Sequence, residues 1–140
     1  MIRTIHITDL NELSEVIFEQ EYDCNIDRYR SSFLYRGMPN ERYSLITSLQ
    51  RNCKHKKEDI EKSILRNFTK YAAIDDRQLK ESIWKQLMIG QHHGLPTRLL
   101  DWTYSPLVGL HFATSGEDLS QMDEHNAVLW KVDIVEVNNL

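Results

Sequence analysis

The stretch Gln91-His-His-Gly-Leu-Pro-Thr-Arg-Leu-Leu-Asp-Trp-Thr-Tyr-Ser-Pro-Leu-Val-Gly-Leu-His-Phe-Ala113 decides how this chain is read. It crowds Gln91, His92, His93, Thr97, Arg98, Asp101 and Trp102 between two helical patterns. Gly94 is placed to cap the first helix, since glycine tolerates the left-handed conformation that closes a helix. Pro96 then prevents the helix from resuming. Ser105-Pro106 opens the next helix, with serine as N-cap and proline in the first turn. A helix exit, a rigid turn and a helix start therefore converge, and loops held by rigid elements are where binding groups concentrate.

Working outward, the first of these helices is predicted over Asp76 to His92, with Leu79, Ile83, Leu87 and Met88 inward. Before it, Lys57 to Ala73 is predicted helical, with Ile60, Ile64, Phe68 and Tyr71 as one apolar stripe. Its early acids, Glu58 and Asp59, suit the helix dipole. The helix after Ser105 carries Leu107, Leu110 and Phe112. Near the N-terminus, Asp9-Leu-Asn-Glu12 resembles a capping box, so a helix is predicted from there to about Glu21. Ser31 to Gly37 reads as a strand, because Phe33 and Tyr35 alternate and Gly37-Met-Pro-Asn supplies a turn. Ser44 to Leu49 is expected as a short strand or extended arm. The segment 117–126 is polar and expected as a loop, and Ala127 to Val132 as a buried strand. The order predicts an α+β domain, a small mixed sheet packed against about four helices. Residues 1–30 read as an N-terminal helical segment and 31–140 as the main domain. Leu95, Leu99, Leu100, Trp102, Leu107, Leu110 and Phe112 are the expected core.

The 140 residues suit one domain, and a chain of this size can bury about two thirds of its unfolded surface. Hydrophobic residues are 41% and charged residues 27%, which is ordinary for a globular protein. A net charge of −4 argues against a broad basic nucleic-acid surface. No run of about 18 apolar residues suggests a membrane helix. Met1 to Asp9 lacks the apolar core of a signal peptide, so a cytoplasmic location is expected. Cys24 and Cys53 form no CxxC pair and read as separate thiols in a reducing compartment.

Several groups in the block carry chemistry. His93 and Asp101 are the candidate catalytic residues; a histidine titrates near neutrality and can act as acid, base or donor. Neighbouring helical residues point about 100° apart, so His92 and His93 do not both face one spot. The competing reading of His93 is a histidine on the last carbonyls of its helix. Arg98 and Asp101, three apart, read either as site groups or as an ion pair locking the loop. Gln91, Thr97, Arg98 and Thr103 are candidate ligand-binding residues, and Thr103 and Ser105 precede a helix N-terminus that could receive an anion. Arg36, at a strand end before Gly37, can present a bidentate fork to phosphate or carboxylate. No GxSxG, GxGxxG or GxxxxGK[ST] motif is present. A zinc-type reading on His93, Asp101 and His111 matches no ligand spacing, and no metal site is assigned.

Tyr35-Arg36-Gly37, the Gln91–Thr103 block and Ser105–Ala113 together resemble the FRG domain family, from about Ser31 to Asp133. Ile46-Thr-Ser-Leu-Gln-Arg51 is also similar to the family, with Thr47 where proline is common; Gly109 stands where alanine is usual. The family normally continues past the strand at Ala127–Val132, and the chain is expected to lack that C-terminal part. The strand-end aromatic-Arg-Gly resembles the first motif of ADP-ribosyltransferase folds, which implies that Arg36 holds NAD. The resemblance thus implies a nucleotide- or NAD-type ligand-binding domain with ADP-ribosyltransferase-like activity. Two alternatives stand beside it: a non-catalytic protein-interaction module, and a metal-dependent hydrolase or nuclease. A free sheet edge would favour a homodimer.

Overall fold

The computed structural model describes residues 2–19, 21–25, 27–72, 79, 81–115 and 124–138. The helices are α1 (Leu10–Ile17), α2 (Ser48–Cys53), α3 (Lys57–Ala72), α4 (Ile83–His92), α5 (Pro106–Thr114) and α6 (Ile134–Asn138). The strands are β1 (Glu21–Asp23), β2 (Arg28–Arg30), β3 (Phe33–Met38) and β4 (Val128–Asp133). The class is α+β. The chain divides into two compact units, one of Met1–Tyr43 with Trp102–Leu140 and the other of Ser44–Asp101. Among the described residues no helix is long and apolar enough to cross a membrane.

In the first unit, β3 and β4 form an antiparallel ladder from Phe33↔Asp133 to Met38↔Val128. Thr103 bridges β3 as well: the Tyr35 N–H donates to the Thr103 carbonyl at 2.7 Å and the Thr103 N–H returns to Tyr35 at 2.9 Å. Helix α5 lies on the face that carries Tyr35 and Gly37. A Cβ on Gly37 would sit 1.8 Å from the Gly109 carbonyl oxygen and 2.4 Å from the Ala113 nitrogen. Glycine is required there by this close approach of two backbones. The same closeness dictates which face α5 buries. Gly109 and Ala113 are buried, whereas Leu107 and Phe112, expected in the core, are exposed and Leu110 is half-buried. Large side chains would hold the helix off the strand.

Helix α1 begins as its capping pattern predicts. The Asp9 carboxylate accepts the Asn11 and Glu12 N–H groups at 2.7 and 2.9 Å. The Glu12 carboxylate accepts the Thr8 N–H at 2.8 Å, and that bond holds its pKa below the usual value. The helix ends at Ile17, short of the expected Glu21. The chain then turns into the β1–β2 hairpin, which pairs Glu21 with Arg30 and Asp23 with Arg28. Its EYD and RYR strands lack apolar alternation, so periodicity did not reveal them. Lys131 of β4 pairs with Glu19, lies 4.0 Å over the Phe33 ring, and donates to the Val16 carbonyl of α1 at 3.4 Å.

In the second unit, the expected strand at Ser44–Leu49 is not formed. Thr47 instead caps α2, its hydroxyl accepting the Gln50 N–H at 3.2 Å. Helix α3 runs to Ala72, but its buried residues are Glu61, Leu65 and Thr69. The expected stripe sits beside them: Ile60, Ile64 and Phe68 are half-buried and Tyr71 is exposed. Helix α4 starts after Ser82 rather than at Asp76, with the Ser82 hydroxyl accepting the Lys85 N–H; residues 76–78 and 80 of the expected helix lie outside the described residues. Leu79 and Leu87 are buried, but Ile83 and Met88 are exposed, which corrects the inward set. Buried Gly90 lies against Leu95 and Leu65 instead. At the far end Gly94 has φ +82. Its N–H donates to the Gln91 carbonyl and the Leu95 N–H to Gly90, each at 2.9 Å. This double closure is the helix stop predicted from the sequence.

Of the segment expected as a loop, 117–123 lies outside the described residues. In the remainder, Glu41 and Asn126 join by a backbone bond of 2.8 Å.

Candidate functional site: a clamped loop and an acidic cleft

The loop after Pro96 is held from three sides, all within the second unit. Against α2, the Thr97 N–H donates to the Ser48 hydroxyl at 3.2 Å and the Leu49 N–H donates to the Thr97 carbonyl at 3.2 Å. Against α3, Glu61 accepts the Arg98 N–H at 3.0 Å and the Arg98 Nε at 2.5 Å; its Oε2 also takes the Arg98 Nη2. Glu61 is 1% exposed, while the Arg98 side chain is 56% exposed. The Glu61 hydrogen bonds, and secondarily its charge, raise the guanidinium pKa further. The structure thus assigns the Arg98 guanidinium to Glu61 and makes Arg98 a loop clamp. A glutamate on a polar helix reads as solvated surface, so Glu61 was missed. Its i, i+4, i+8 relation to Leu65 and Thr69 is the signal that could have found it.

Against α4, the loop forms a hydrogen-bonded relay. The Thr97 side chain is fully buried. Its hydroxyl accepts the Leu99 N–H at 3.3 Å, so its single proton is directed to the Gln91 Oε1. That leaves the Gln91 Nε2 to donate, and it does so to the Asp101 Oδ1 at 2.5 Å. An ionised carboxylate only accepts, so both ends of the relay require the same orientation of the Gln91 amide. The exposed Asp101 carboxylate is therefore held by a chain of bonds anchored in the interior.

Asp101 and Gln91 line a cleft of about 480 Å³ with Met88, His92 and Leu99. The polar groups come from the end of α4 and the loop; Met88 and Leu99 supply apolar wall. His93 goes elsewhere. It is the C-cap of α4, its ring is 5.9 Å from the Phe68 ring, and it lines a separate, apolar cleft of about 690 Å³ with Ile64, Leu79, Ile89 and Leu95. His92, set aside in the sequence reading, is the histidine beside Asp101. Adjacent helical positions had to diverge, and the helix phase, fixed by Leu87 and Gly90, chose between them.

The remaining candidates belong to the first unit. Arg36 is half-buried on β3, opposite Trp130. Thr103 forms the bridge to Tyr35, and its hydroxyl accepts the Ser105 N–H at 3.1 Å just before α5, whose N-cap is Ser105. His111 is exposed in the last turn of α5. Among the described residues no group of three or more His, Cys, Asp or Glu is arranged to hold a metal ion.

The chain is of the α+β class, with a glycine-bared strand against a small-faced helix in one unit and a clamped loop after Pro96 in the other. The family model of the FRG domain matches residues 31–122. The chain belongs to the FRG domain family. No curated protein and no solved structure matches it.

Proposed function

We propose that this FRG domain binds a nucleotide-type ligand, with the Asp101 cleft receiving its nucleoside portion. The observation that carries the reading is the Thr97–Gln91–Asp101 relay, which fixes an exposed carboxylate at the wall of a cleft. Such a relay keeps an acceptor in one position before a ligand arrives, which reduces the ordering cost of binding. A volume of about 480 Å³ is in the range of small-molecule sites. Met88 and Leu99 suit the apolar faces of sugar or base, and His92 offers a ring for stacking and a polar edge. NAD and ADP-ribose are the ligands that the likeness of Tyr35-Arg36-Gly37 to ADP-ribosyltransferase motifs implies. Arg36 is the proposed anion-binding group of its own unit.

The test is thermal unfolding with AMP, ADP-ribose and NAD at millimolar concentration. A ligand at 100 times its Kd stabilises the folded state by about 2.7 kcal/mol. A rise in Tm with at least one of the three, abolished by Asp101→Asn, is expected; no rise with any of them contradicts the reading.

A second reading, a non-catalytic protein-interaction module, is supported by Ile83 and Trp84, which are adjacent on α4 and both exposed. Replacing both with serine would then abolish partner capture while leaving ligand shifts intact.

A further inference from the structure

We infer that the solvent face of α3 binds the phosphate backbone of single-stranded nucleic acid, through Lys54, Lys56 and Lys57 at its start and Lys62, Arg66 and Lys70 along it. This surface is distinct from the Asp101 cleft and does not rest on the nucleotide reading. The first basis is the distribution of charge. The net −4 of the chain is the sum of two opposite units. The second, Ser44–Asp101, has eleven lysines and arginines against seven aspartates and glutamates, and the first has six against fourteen. A basic unit attracts a polyanion locally even where the total is acidic. The surplus is gathered on one stretch: Arg51 to Lys70 holds seven cations and three acids. Of those acids, Glu61 is buried and bound to Arg98, and the charge of Glu58 acts on Arg98 as well. All seven cations are exposed, and none forms an ion pair among the described residues.

The second basis is placement. Helix α3 buries Glu61, Leu65 and Thr69. Lys62, Arg66 and Lys70 each follow one of these by one residue, so they form a row at i, i+4 and i+8. Each step of four residues rises about 6 Å along the helix. Like charges at this spacing repel and weaken a helix. Lys54, Lys56 and Lys57 stand at the positive end of the same helix, where the dipole disfavours cations. Among the described residues no ion pair offsets either repulsion. A strand of phosphates laid along the row relieves both.

The third basis is the company the cations keep, which favours nucleic acid over a membrane. Exposed Ser63 and Asn67 stand among them, and such side chains donate hydrogen bonds to phosphate oxygens. Tyr71 is 68% exposed, with the Lys70 Nζ 5.8 Å from its ring centroid. An exposed aromatic ring beside a cation is a platform for stacking a base. A membrane-surface helix instead sets a free apolar face opposite its cations. In α3 the opposite face is occupied, because the helix packs on α2 and α4.

The experiment is fluorescence anisotropy of labelled oligothymidylate and oligouridylate, each about 20 nucleotides long, titrated with the full chain. Binding is expected, with affinity falling about 50-fold between about 50 and about 200 mM salt, as for about four neutralised phosphates. Replacing Lys62, Arg66 and Lys70 together with glutamine should weaken binding about tenfold or more and flatten the logarithmic salt slope by about two. Lys54→Gln, Lys56→Gln and Lys57→Gln together form a second variant with the same expectation. Tyr71→Ser should weaken binding and leave the salt slope unchanged, because a stacked ring neutralises no phosphate. Urea midpoints no lower than wild type are expected for both glutamine variants, since each loses a repulsion. No binding of either oligonucleotide at about 50 mM salt, or wild-type affinity in both glutamine variants, overturns the inference. Binding of phosphatidylserine vesicles without binding of either oligonucleotide overturns it in favour of a membrane surface.

Discussion

Removing Arg98 and removing Glu61 are not equivalent, because one partner is buried and the other is half in water. Arg98→Ala leaves a carboxylate at 1% exposure without its guanidinium. Breaking a buried pair in this way costs about 3 to 5 kcal/mol, and the exposure of the arginine places this case at the low end. Glu61→Gln keeps the shape and still accepts the Arg98 N–H, while the freed arginine is solvated; a loss of about 1 to 2 kcal/mol is expected. Urea denaturation of both variants at neutral pH tests the order, and a larger loss for Glu61→Gln would contradict it. Tyr35 is the opposite case. Its side chain is fully buried, and its hydroxyl has no hydrogen-bond partner among the described residues. Tyr35→Phe removes a buried polar atom without opening a cavity, so unfolding free energy should rise by about 1 kcal/mol. A fall would mean that the hydroxyl makes a stabilising bond.

At the scale of elements, what could be read from sequence was local chemistry. The Asp9 cap, the Gly94 stop and the Ser105-Pro106 start each depend on a few neighbouring residues, and each stands where it was read. What could not be read was which face each helix buries. Helix α3 turns Glu61 inward because Arg98, 37 residues later, needs a carboxylate there. Helix α5 buries glycine and alanine because β3 approaches too closely for leucine. These depend on distant partners, which periodicity in one segment does not encode. The candidate site was legible only as a hydrogen-bonded cluster. Gln91, Thr97 and Asp101 were picked from one block and are joined by hydrogen bonds, but His92 rather than His93 stands beside them, since the helix phase sets the choice. The β3–α5 contact makes a specific prediction. Gly37→Ala would drive a methyl into backbone atoms at 1.8 and 2.4 Å, which no side-chain rotation relieves. A loss of about 3 kcal/mol or more is expected from such overpacking. Gly109→Ala meets the Leu129 and Tyr35 side chains at 2.9 and 3.0 Å, and should cost less because the Leu129 end can rotate. Thermal unfolding of the two variants decides this, and equal Tm losses would contradict the account.

For the whole molecule, a net charge of −4 gives no general attraction for anionic ligands. Affinity for a nucleotide must then come from a built site, and the proposed one is the Asp101 cleft of the second unit. The clamps on Ser48, Glu61 and Gln91 fix this loop before a ligand arrives, and Asp101 itself is exposed. Asp101→Asn keeps the side-chain volume while replacing a fixed acceptor with a mixed group. The most direct measurement is calorimetric titration of ADP-ribose into wild type and Asp101→Asn, with urea midpoints recorded on the same samples. The account predicts saturable binding by the wild type and a loss of about tenfold or more in the variant, with the midpoints showing that the variant is folded under the titration conditions. Equal affinity in the two proteins, or no binding by the wild type, would contradict it.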